Sequence, residues 1–221
     1  MQTFEGFPRE AFEFFMMLEI NNTKPFFEAH REEFNEYILT PLKALSNDLA
    51  PAMLAKDPQI DARPVMGGTI SRIYRDTRYK RDKRPLRTHM WMEFRRRDET
   101  HNRVGMFFQF SANSASSGME TWLYPAANVR KMQQHVMANG ARYERIIKKI
   151  KQAGFVLNGM PYTRPNYSSE TAAVNELLGY KQFWLELPLT LQQIMQPEFK
   201  AALQEHFLSL FPLYELLRES L

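Results

Sequence analysis

The spacing of the apolar residues changes twice along the chain, and this change constrains the fold more than any other sequence feature. Near the amino terminus Ala11, Phe14, Phe15 and Leu18 recur at positions i, i+3, i+4 and i+7, a spacing typical of one buried helix face. In the middle of the chain apolar and polar residues alternate, and after Pro125 the helical spacing returns. Helices, then strands, then helices predict an α+β fold on a mostly antiparallel sheet, packed by N-terminal and C-terminal helices.

The amino-terminal region is predicted to be helical over residues 8–54. Pro8 suits a first helical turn, and Thr23 is predicted to cap a second helix in front of Pro25. Pro41 lies within the long apolar stripe of this region. Because proline lacks a backbone donor, we expect it to kink or divide the helix.

A β-rich region is predicted over residues 69–111. Alternating apolar residues in Thr88–Phe94 and in Val104–Ser111 are typical of two strands with one buried face. A polar link, Asp98–Arg103, joins them into an antiparallel hairpin. Thr69–Tyr74 is a third predicted strand.

The carboxyl-terminal part, residues 125–221, is predicted to be helical, with short strands near 155–157 and 183–187. Pro161–Ser169 has the composition of a loop. No segment has the composition of a linker between domains. We therefore predict one domain that covers residues 1–221.

Composition excludes several classes of protein. The chain is 44% hydrophobic and 24% charged, which is ordinary for a globular protein. It contains no cysteine, so disulfide scaffolds, thiolate metal sites and cysteine nucleophiles are excluded. The amino terminus lacks a basic stretch followed by an apolar one, and no apolar run approaches the about 18 residues of a membrane helix. We expect a cytoplasmic protein with no membrane partner.

The common catalytic signatures do not occur in the sequence. There is no phosphate-binding loop of the G-x-x-x-x-G-K type, no G-x-S-x-G motif and no H-E-x-x-H motif. The five histidines are scattered, so no metal site is predicted, although two of them could meet through space. Ser111–Ser117 is predicted to be a loop rather than a nucleophile site. The sequence specifies no cofactor and no oligomeric state.

Positive charge is concentrated in one segment. The formal net charge is +4, but residues 72–97 hold eleven Lys or Arg against three acids, a local charge of +8. The remainder of the chain is therefore acidic overall. A local basic patch of this kind indicates an anionic partner more directly than the isoelectric point does.

The segment Arg72–Arg87 is the candidate binding site. Its predicted ligand-binding residues are Arg72, Arg75, Arg78, Arg81 and Lys83. Guanidinium groups suit phosphate or carboxylate oxygens because two charged hydrogen bonds form in parallel. Asp76 and Asp82 would orient these cations, or one of them would act as a base if it is desolvated.

Two alternatives to a small-ligand site stay open. In the first, the network is purely structural: Asp76 and Asp82 hold the turn by pairing with Arg78 and Lys83. In the second, the segment binds nucleic acid together with a second basic group on the helix Arg142–Lys151, and aromatic residues among the cations stack on bases. Those aromatic residues are Tyr74, Tyr79 and Trp91. For these aromatic residues, packing within the protein is a simpler interpretation than stacking on bases.

Several motifs resemble a known family. The opening pattern places Phe14-Phe15, Asn21-Asn22 and Phe26-Phe27 at fixed spacing before Pro41-Leu42. The central run from Arg72 to Pro85 matches a motif of the form R-I-Y-R-D-T-R-F-x-K-D-K-x-P almost position for position. Both are similar to the uncharacterised bacterial family called domain of unknown function 2461.

The resemblance covers nearly the whole chain, which implies a single domain, but it implies no activity. Glu176 lies in a matching E-L-L-x-x-K pattern and is for that reason a further candidate catalytic acid, beside Asp76 and Asp82. The family's L-K-R-x-P-x-G-F segment is replaced by Leu157–Pro161, which lacks both cations. If the protein is an enzyme, hydrolysis of a phosphorylated compound or transfer from it suits these groups best.

Overall fold

The computed structural model describes residues 3–97, 102–164, 167, 169 and 171–221. Within them, helices accompany one five-stranded antiparallel sheet, which confirms the predicted α+β class. The strands are β1 (His89–Arg95), β2 (Asn102–Ser111), β3 (Ala115–Leu123), β4 (Val156–Pro161) and β5 (Tyr180–Leu189). Their spatial order is β1–β2–β3–β5–β4.

In the sequence, helices precede β1, lie between β3 and β5, and follow β5. They are α1 (Arg9–Ile20), α2 (Lys24–Ala29), α3 (Arg31–Phe34), α4 (Thr40–Lys56), α5 (Ala126–Ala138), α6 (Gly140–Gln152), α7 (Ala172–Leu178), α8 (Leu191–Ile194) and α9 (Phe199–Arg218). A π-helical turn, Asn35–Leu39, joins α3 to α4. Across the described residues, no helix combines the length and the apolar character needed to cross a membrane.

The chain divides into two compact units, each assembled from separate segments. Unit 1 consists of Met1–Phe94, Phe108–Ser116 and Pro188–Gln204. Unit 2 consists of Arg95–Phe107, Ser117–Leu187 and Glu205–Leu221. The single domain over the whole chain stays a prediction.

The first helices of unit 1 form as their sequence predicts. The apolar face of α1, from Ala11 to Leu18, is fully buried. The Thr23 hydroxyl accepts a hydrogen bond from the Phe26 backbone at 3.3 Å, which confirms Thr23 as the cap of α2. Pro41 lies in the first turn of α4, directly after the π-helical turn. The backbone stays helical at Asn35, Leu39 and Thr40, so the chain is not interrupted at Pro41, and the irregularity is the π-helical turn in front of it.

The alternating strands form with the predicted face buried. Met90, Met92 and Phe94 on β1 are fully buried, as are Val104, Met106, Phe108 and Phe110 on β2. β2 begins at Asn102, so Arg103 lies in the strand and not in the predicted link. Residues 98–101 of that link lie outside the described residues.

Two predictions in the middle of the chain are wrong. Thr69–Tyr74 is not a continuous strand: Ile70 bridges to Met92, whereas Tyr74 bridges to Leu86. Segment 111–117 is not one loop, because its second half belongs to β3. Small polar residues are buried there on both faces of the strand, so the alternation that indicates a strand is missing from the sequence.

Gly118 explains why β3 needs small residues. A Cβ atom at this position would lie 1.9 Å from the backbone oxygen of Leu185 on β5. Only glycine allows the two strands to approach this closely.

The short strands predicted in the carboxyl-terminal part are longer in the structure. β4 pairs antiparallel with β5, with Leu157 opposite Leu185 and Gly159 opposite Phe183. The loop predicted at 161–169 begins at residue 162 in the structure, because Pro161 still belongs to β4. Residues 165, 166 and 168 of that loop lie outside the described residues.

Candidate anion-binding site

The segment Arg72–Arg87, which we call the cationic loop, folds back on itself within unit 1. The Arg75 backbone donates a hydrogen bond to the Pro85 oxygen (2.8 Å), and the Arg87 backbone donates one to the Ile73 oxygen (2.9 Å). These two bonds join the two ends of the loop. The cations between them are thereby held close together in space.

Residues of α2, and Asn22 between α1 and α2, hold the base of the cationic loop. The Asn22 amide donates to the Leu86 oxygen at 3.1 Å and accepts from the Leu86 backbone at 3.0 Å. The Tyr74 hydroxyl donates to the Glu28 carboxylate at 2.8 Å, and its ring packs edge-on against Phe27. The base is therefore tied to α2 and to the residues that precede it.

Asp82 is shared by two arginines. Its Oδ2 atom accepts hydrogen bonds from Nη1 of Arg75 and Nη2 of Arg84, each at 2.8 Å. The Arg84 backbone donates to Oδ1 at 3.0 Å. Hydrogen bonds from Arg84, and then from Arg75, hold the pKa of Asp82 far below its ordinary value.

Asp76 makes a local pair with Arg78. The guanidinium donates from Nε to Oδ1 at 3.0 Å and from Nη2 to Oδ2 at 2.7 Å, and the Arg78 backbone donates to Oδ1 at 3.1 Å. These hydrogen bonds, the side-chain ones first, lower the pKa of Asp76 to about 2. Both side chains are mostly exposed, so the pair fixes the turn more than it stabilises the fold.

These contacts decide between the two roles that the sequence left to the aspartates. A carboxylate with a strongly lowered pKa stays ionised at neutral pH and is a weak base. The geometry of Asp76 and Asp82 therefore favours orientation of the arginines. The structural alternative had paired Asp82 with Lys83, and that pairing is wrong. Lys83 instead donates to the Thr77 oxygen at 3.1 Å, across the turn.

Two predicted ligand-binding residues keep their donors free of carboxylates. Among the residues that the structure describes, the side chains of Arg72 and Arg81 form no hydrogen bond or ion pair, and both are exposed. Arg72 packs over Gly67, where a Cβ atom would lie 3.1 Å from its Nη2.

Two further basic residues, Arg87 at the end of the cationic loop and His89 at the start of β1, lie against Trp91, and the sequence analysis did not select either as a ligand-binding residue. Arg87 places its Cζ 4.7 Å from the ring centre of Trp91, and its Nε donates to the Arg72 oxygen at 3.1 Å. The His89 ring stacks on Trp91, with 5.7 Å between centres and 24° between planes. The signal was in the sequence, because positions 87, 89 and 91 share one face of an extended chain.

Burial and nearby positive charge act on the basic side chains of Arg87 and His89. Burial, followed by the charge of Arg75, lowers the pKa of Arg87. Burial, followed by the charges of Arg87 and Arg75, lowers the pKa of His89. The same arginine thus repels both groups.

The aromatic rings among the cations are mostly engaged within the protein. Tyr74 packs on Phe27, and Trp91 carries Arg87 and His89. Tyr79 is 92% exposed, with Arg78 beside its ring. In this segment, Tyr79 is therefore the one ring available to stack on a nucleic acid base.

The remaining candidate residue, Glu176, lies on α7 in unit 2 and forms an ion pair with Lys151 of α6. The other end of α6 is held by Arg142, which binds the Glu219 carboxylate through two hydrogen bonds of 3.0 Å. The remaining cations of this helix, Arg145, Lys148 and Lys149, are exposed. These three side chains form a solvated face of α6.

Unit 2 also contains a serine and a histidine in contact. The Ser117 hydroxyl lies 3.1 Å from Nδ1 of His206, and burial lowers the pKa of that histidine. Ser117 is fully buried, so the hydroxyl is enclosed by protein and the contact joins β3 to α9. In the described ranges, no three His, Asp or Glu side chains lie close enough to hold a metal ion.

The fold and this geometry define an α+β protein with an ordered cationic loop. A family model described as conserved hypothetical protein (DUF2461) matches residues 10–216. The chain therefore belongs to this family, as the sequence motifs indicated. A comparison with curated proteins found no match.

Proposed function

We propose that the cationic loop binds a ligand that carries a phosphate or carboxylate group. Arg72, Arg75, Arg78, Arg81 and Lys83 supply the positive charge. The observation that carries the proposal is the charge imbalance of an ordered loop. It holds eight Lys or Arg against two Asp, a formal charge of +6.

The two aspartates neutralise only part of this charge. Asp76 pairs with Arg78, and Asp82 is shared by Arg75 and Arg84. Arg72 and Arg81 have no carboxylate partner in the described part of the chain. Repulsion among ordered cations raises the free energy of the loop, and a bound anion lowers it again.

The cationic loop also supplies N–H donors that can form hydrogen bonds to an anion. A guanidinium carries five N–H groups, and Arg75 uses one of them for Asp82. Its side chain is 23% exposed, so its position is fixed by packing before a ligand arrives. A donor that is already oriented loses little entropy on binding.

Binding is better supported than catalysis. Hydrolysis or transfer on a phosphorylated compound needs a group that accepts a proton near neutral pH. The lowered pKa values of Asp76 and Asp82 oppose that role, and Glu176 is engaged by Lys151. In this proposal Asp76 and Asp82 position the arginines of the loop, and Glu176 stays a weaker candidate acid in unit 2. A cytoplasmic location is also part of the proposal.

The test is thermal unfolding of the whole chain in chloride buffer, with phosphate, pyrophosphate or citrate added. A ligand that binds only the native state raises the unfolding temperature. The variant Arg72→Gln/Arg81→Gln is compared with Arg145→Gln/Lys148→Gln, which removes two exposed charges from α6. We expect stabilisation of the wild type and the α6 variant, and a smaller effect in the loop variant. Equal responses in all three proteins would contradict the proposal.

A structural role is the second candidate, and one observation favours it: both aspartates form their pairs inside the loop. This role predicts that Arg75→Met impairs folding and leaves anion binding unchanged. Ligand binding predicts the reverse, a folded variant with weaker anion binding. Circular dichroism and the same thermal measurement distinguish the two.

A further inference from the structure

Arg87 differs from the other ordered arginines of the cationic loop. Arg75, Arg78 and Arg84 each donate to an aspartate. Arg87 is half-buried, and in the described part of the chain its side chain donates only to the Arg72 backbone oxygen. A half-buried charge without a counter-charge is unfavourable, so such groups are usually paired.

His89 lies beside Arg87 and has the same environment. Both side chains rest on Trp91, and the charge of Arg75 acts on both. The charges that act on His89 come from Arg87, which precedes β1, and from Arg75 in the facing half of the loop. Both are positive. The fold thus holds two half-buried basic side chains, Arg87 and His89, against one ring, with the charge of Arg75 acting on both.

We propose that Arg87 and His89, together with Arg75, bind a phosphate group, and that the ligand of the loop is therefore a phosphomonoester or inorganic phosphate. This inference rests on the proposed function and specifies where the anion lies and what kind it is. Arg72, Arg78 and Arg81 then contribute charge from the exposed rim.

Phosphate suits these residues better than a carboxylate does. A phosphate group offers three oxygens and carries nearly two negative charges at neutral pH, which matches donors from three separate side chains. A single carboxylate offers two oxygens and one charge. The second proton of a phosphomonoester dissociates at a pKa of about 6, close to that of an ordinary histidine, so the complex can retain a proton between the ligand and His89.

Trp91 acts as a positioning residue. Its ring carries the Arg87 guanidinium by a cation–π contact and the His89 ring by stacking. This contact fixes two donors at the same end of β1. Because Trp91 already contacts these two side chains, the proposed site recognises its ligand through the phosphate group and not through a ring.

The experiment is a calorimetric titration of the whole protein with inorganic phosphate. Arg87→Gln is compared with Lys80→Gln, which removes the same charge from an exposed position of the same loop. We expect Arg87→Gln to lower the affinity about tenfold or more, and Lys80→Gln to change it about twofold or less. His89→Gln gives a second variant, and circular dichroism confirms that each variant is folded.

A spectroscopic readout separates direct contact from general charge. Bound phosphate is expected to raise the pKa of His89, measured by nuclear magnetic resonance with His89→Gln to assign the signal. Unchanged affinity in Arg87→Gln and His89→Gln, with loss of affinity in Arg72→Gln/Arg81→Gln, would overturn this inference and leave the proposed function in place. Absence of any saturable phosphate, pyrophosphate or citrate binding by the wild type would overturn both.

Discussion

The side-chain amide of Asn22 pairs with the backbone of Leu86 as a neighbouring strand would, through hydrogen bonds of 3.1 Å and 3.0 Å. This single residue ties the cationic loop to the helical region of unit 1. The candidate site therefore depends on a residue fifty positions before its first arginine.

The first prediction concerns this tie. Asn22→Ala removes both hydrogen bonds and leaves the half-buried backbone groups of Leu86 unpaired. We expect a loss of about 1–3 kcal/mol in the free energy of unfolding, together with faster proteolysis of the cationic loop. Asn21→Ala, which removes only an exposed bond from Thr23, is the control. If both variants unfold at the same denaturant concentration, the Asn22–Leu86 hydrogen bonds contribute nothing to the free energy of unfolding.

The second prediction concerns the pH dependence of the Asp76 pair. The pKa of Asp76 falls from 3.8 to about 2 on folding, so the pair stabilises the protein above about pH 4 and loses this effect as the pH falls towards 2. Asp76→Asn should be less stable than the wild type at pH 6, and the difference should shrink below pH 4. Because the pair is exposed, the difference is small. Denaturant unfolding across this range checks it, and a difference independent of pH would argue against the pair.

The third prediction concerns His89. Its pKa is lower in the folded protein than the ordinary value of 6.5, so the unfolded chain takes up a proton first as the pH falls. Stability attributable to the neutral ring is present above this value and is lost as the pH falls through the folded pKa. His89→Gln should therefore lose less stability than the wild type between pH 8 and pH 5. A wild type and a variant with parallel stability curves would show that burial of His89 does not matter.

The fourth prediction tests the close approach of β3 and β5. A Cβ atom at Gly118 would meet the Leu185 oxygen at 1.9 Å, so Gly118→Ala should destabilise the protein by more than about 3 kcal/mol or prevent folding. The control is Gly140→Ala in α6, where the nearest atom lies 3.9 Å away on Val174. Alanine there should stabilise the helix by about 0.5–1 kcal/mol. Similar melting temperatures for both variants would contradict the strand geometry.

The fifth prediction separates the proposed ligand from nucleic acid. Two of the three rings among the cations, Tyr74 and Trp91, are engaged within the protein, so base stacking has little support. We expect oligonucleotides to bind weakly at low salt and not at physiological salt. Fluorescence anisotropy across a salt series measures this. Tight binding that persists at physiological salt, with a steep salt dependence, would favour the nucleic acid alternative.

Periodicity predicted the elements that bury one face. The buried residues of α1, β1 and β2 occur at regular spacing, so the sequence alone located them. β3 was missed because Ser117 and Gly118 are small residues that contact α9 and β5 respectively. No local pattern records such contacts.

The candidate site was predicted only in part, because local spacing and charge do not specify the contacts that form when the loop closes. Charge density located the cationic loop, and the Asp76–Arg78 pair follows from two neighbouring positions. The sharing of Asp82 between Arg75 and Arg84 depends on how the loop closes, which spacing does not specify. Arg87 and His89 were missed because their importance comes from burial against Trp91, a property of the folded chain.

A crystal structure determined at saturating inorganic phosphate tests the central proposal most directly. We predict one phosphate ion within hydrogen-bond distance of the Arg87 guanidinium and the His89 ring, with the Asp82 pairs retained. An ordered cationic loop with no anion beside it, and with the Arg72 and Arg81 side chains directed into solvent, would contradict the binding of a phosphate-bearing ligand at this loop.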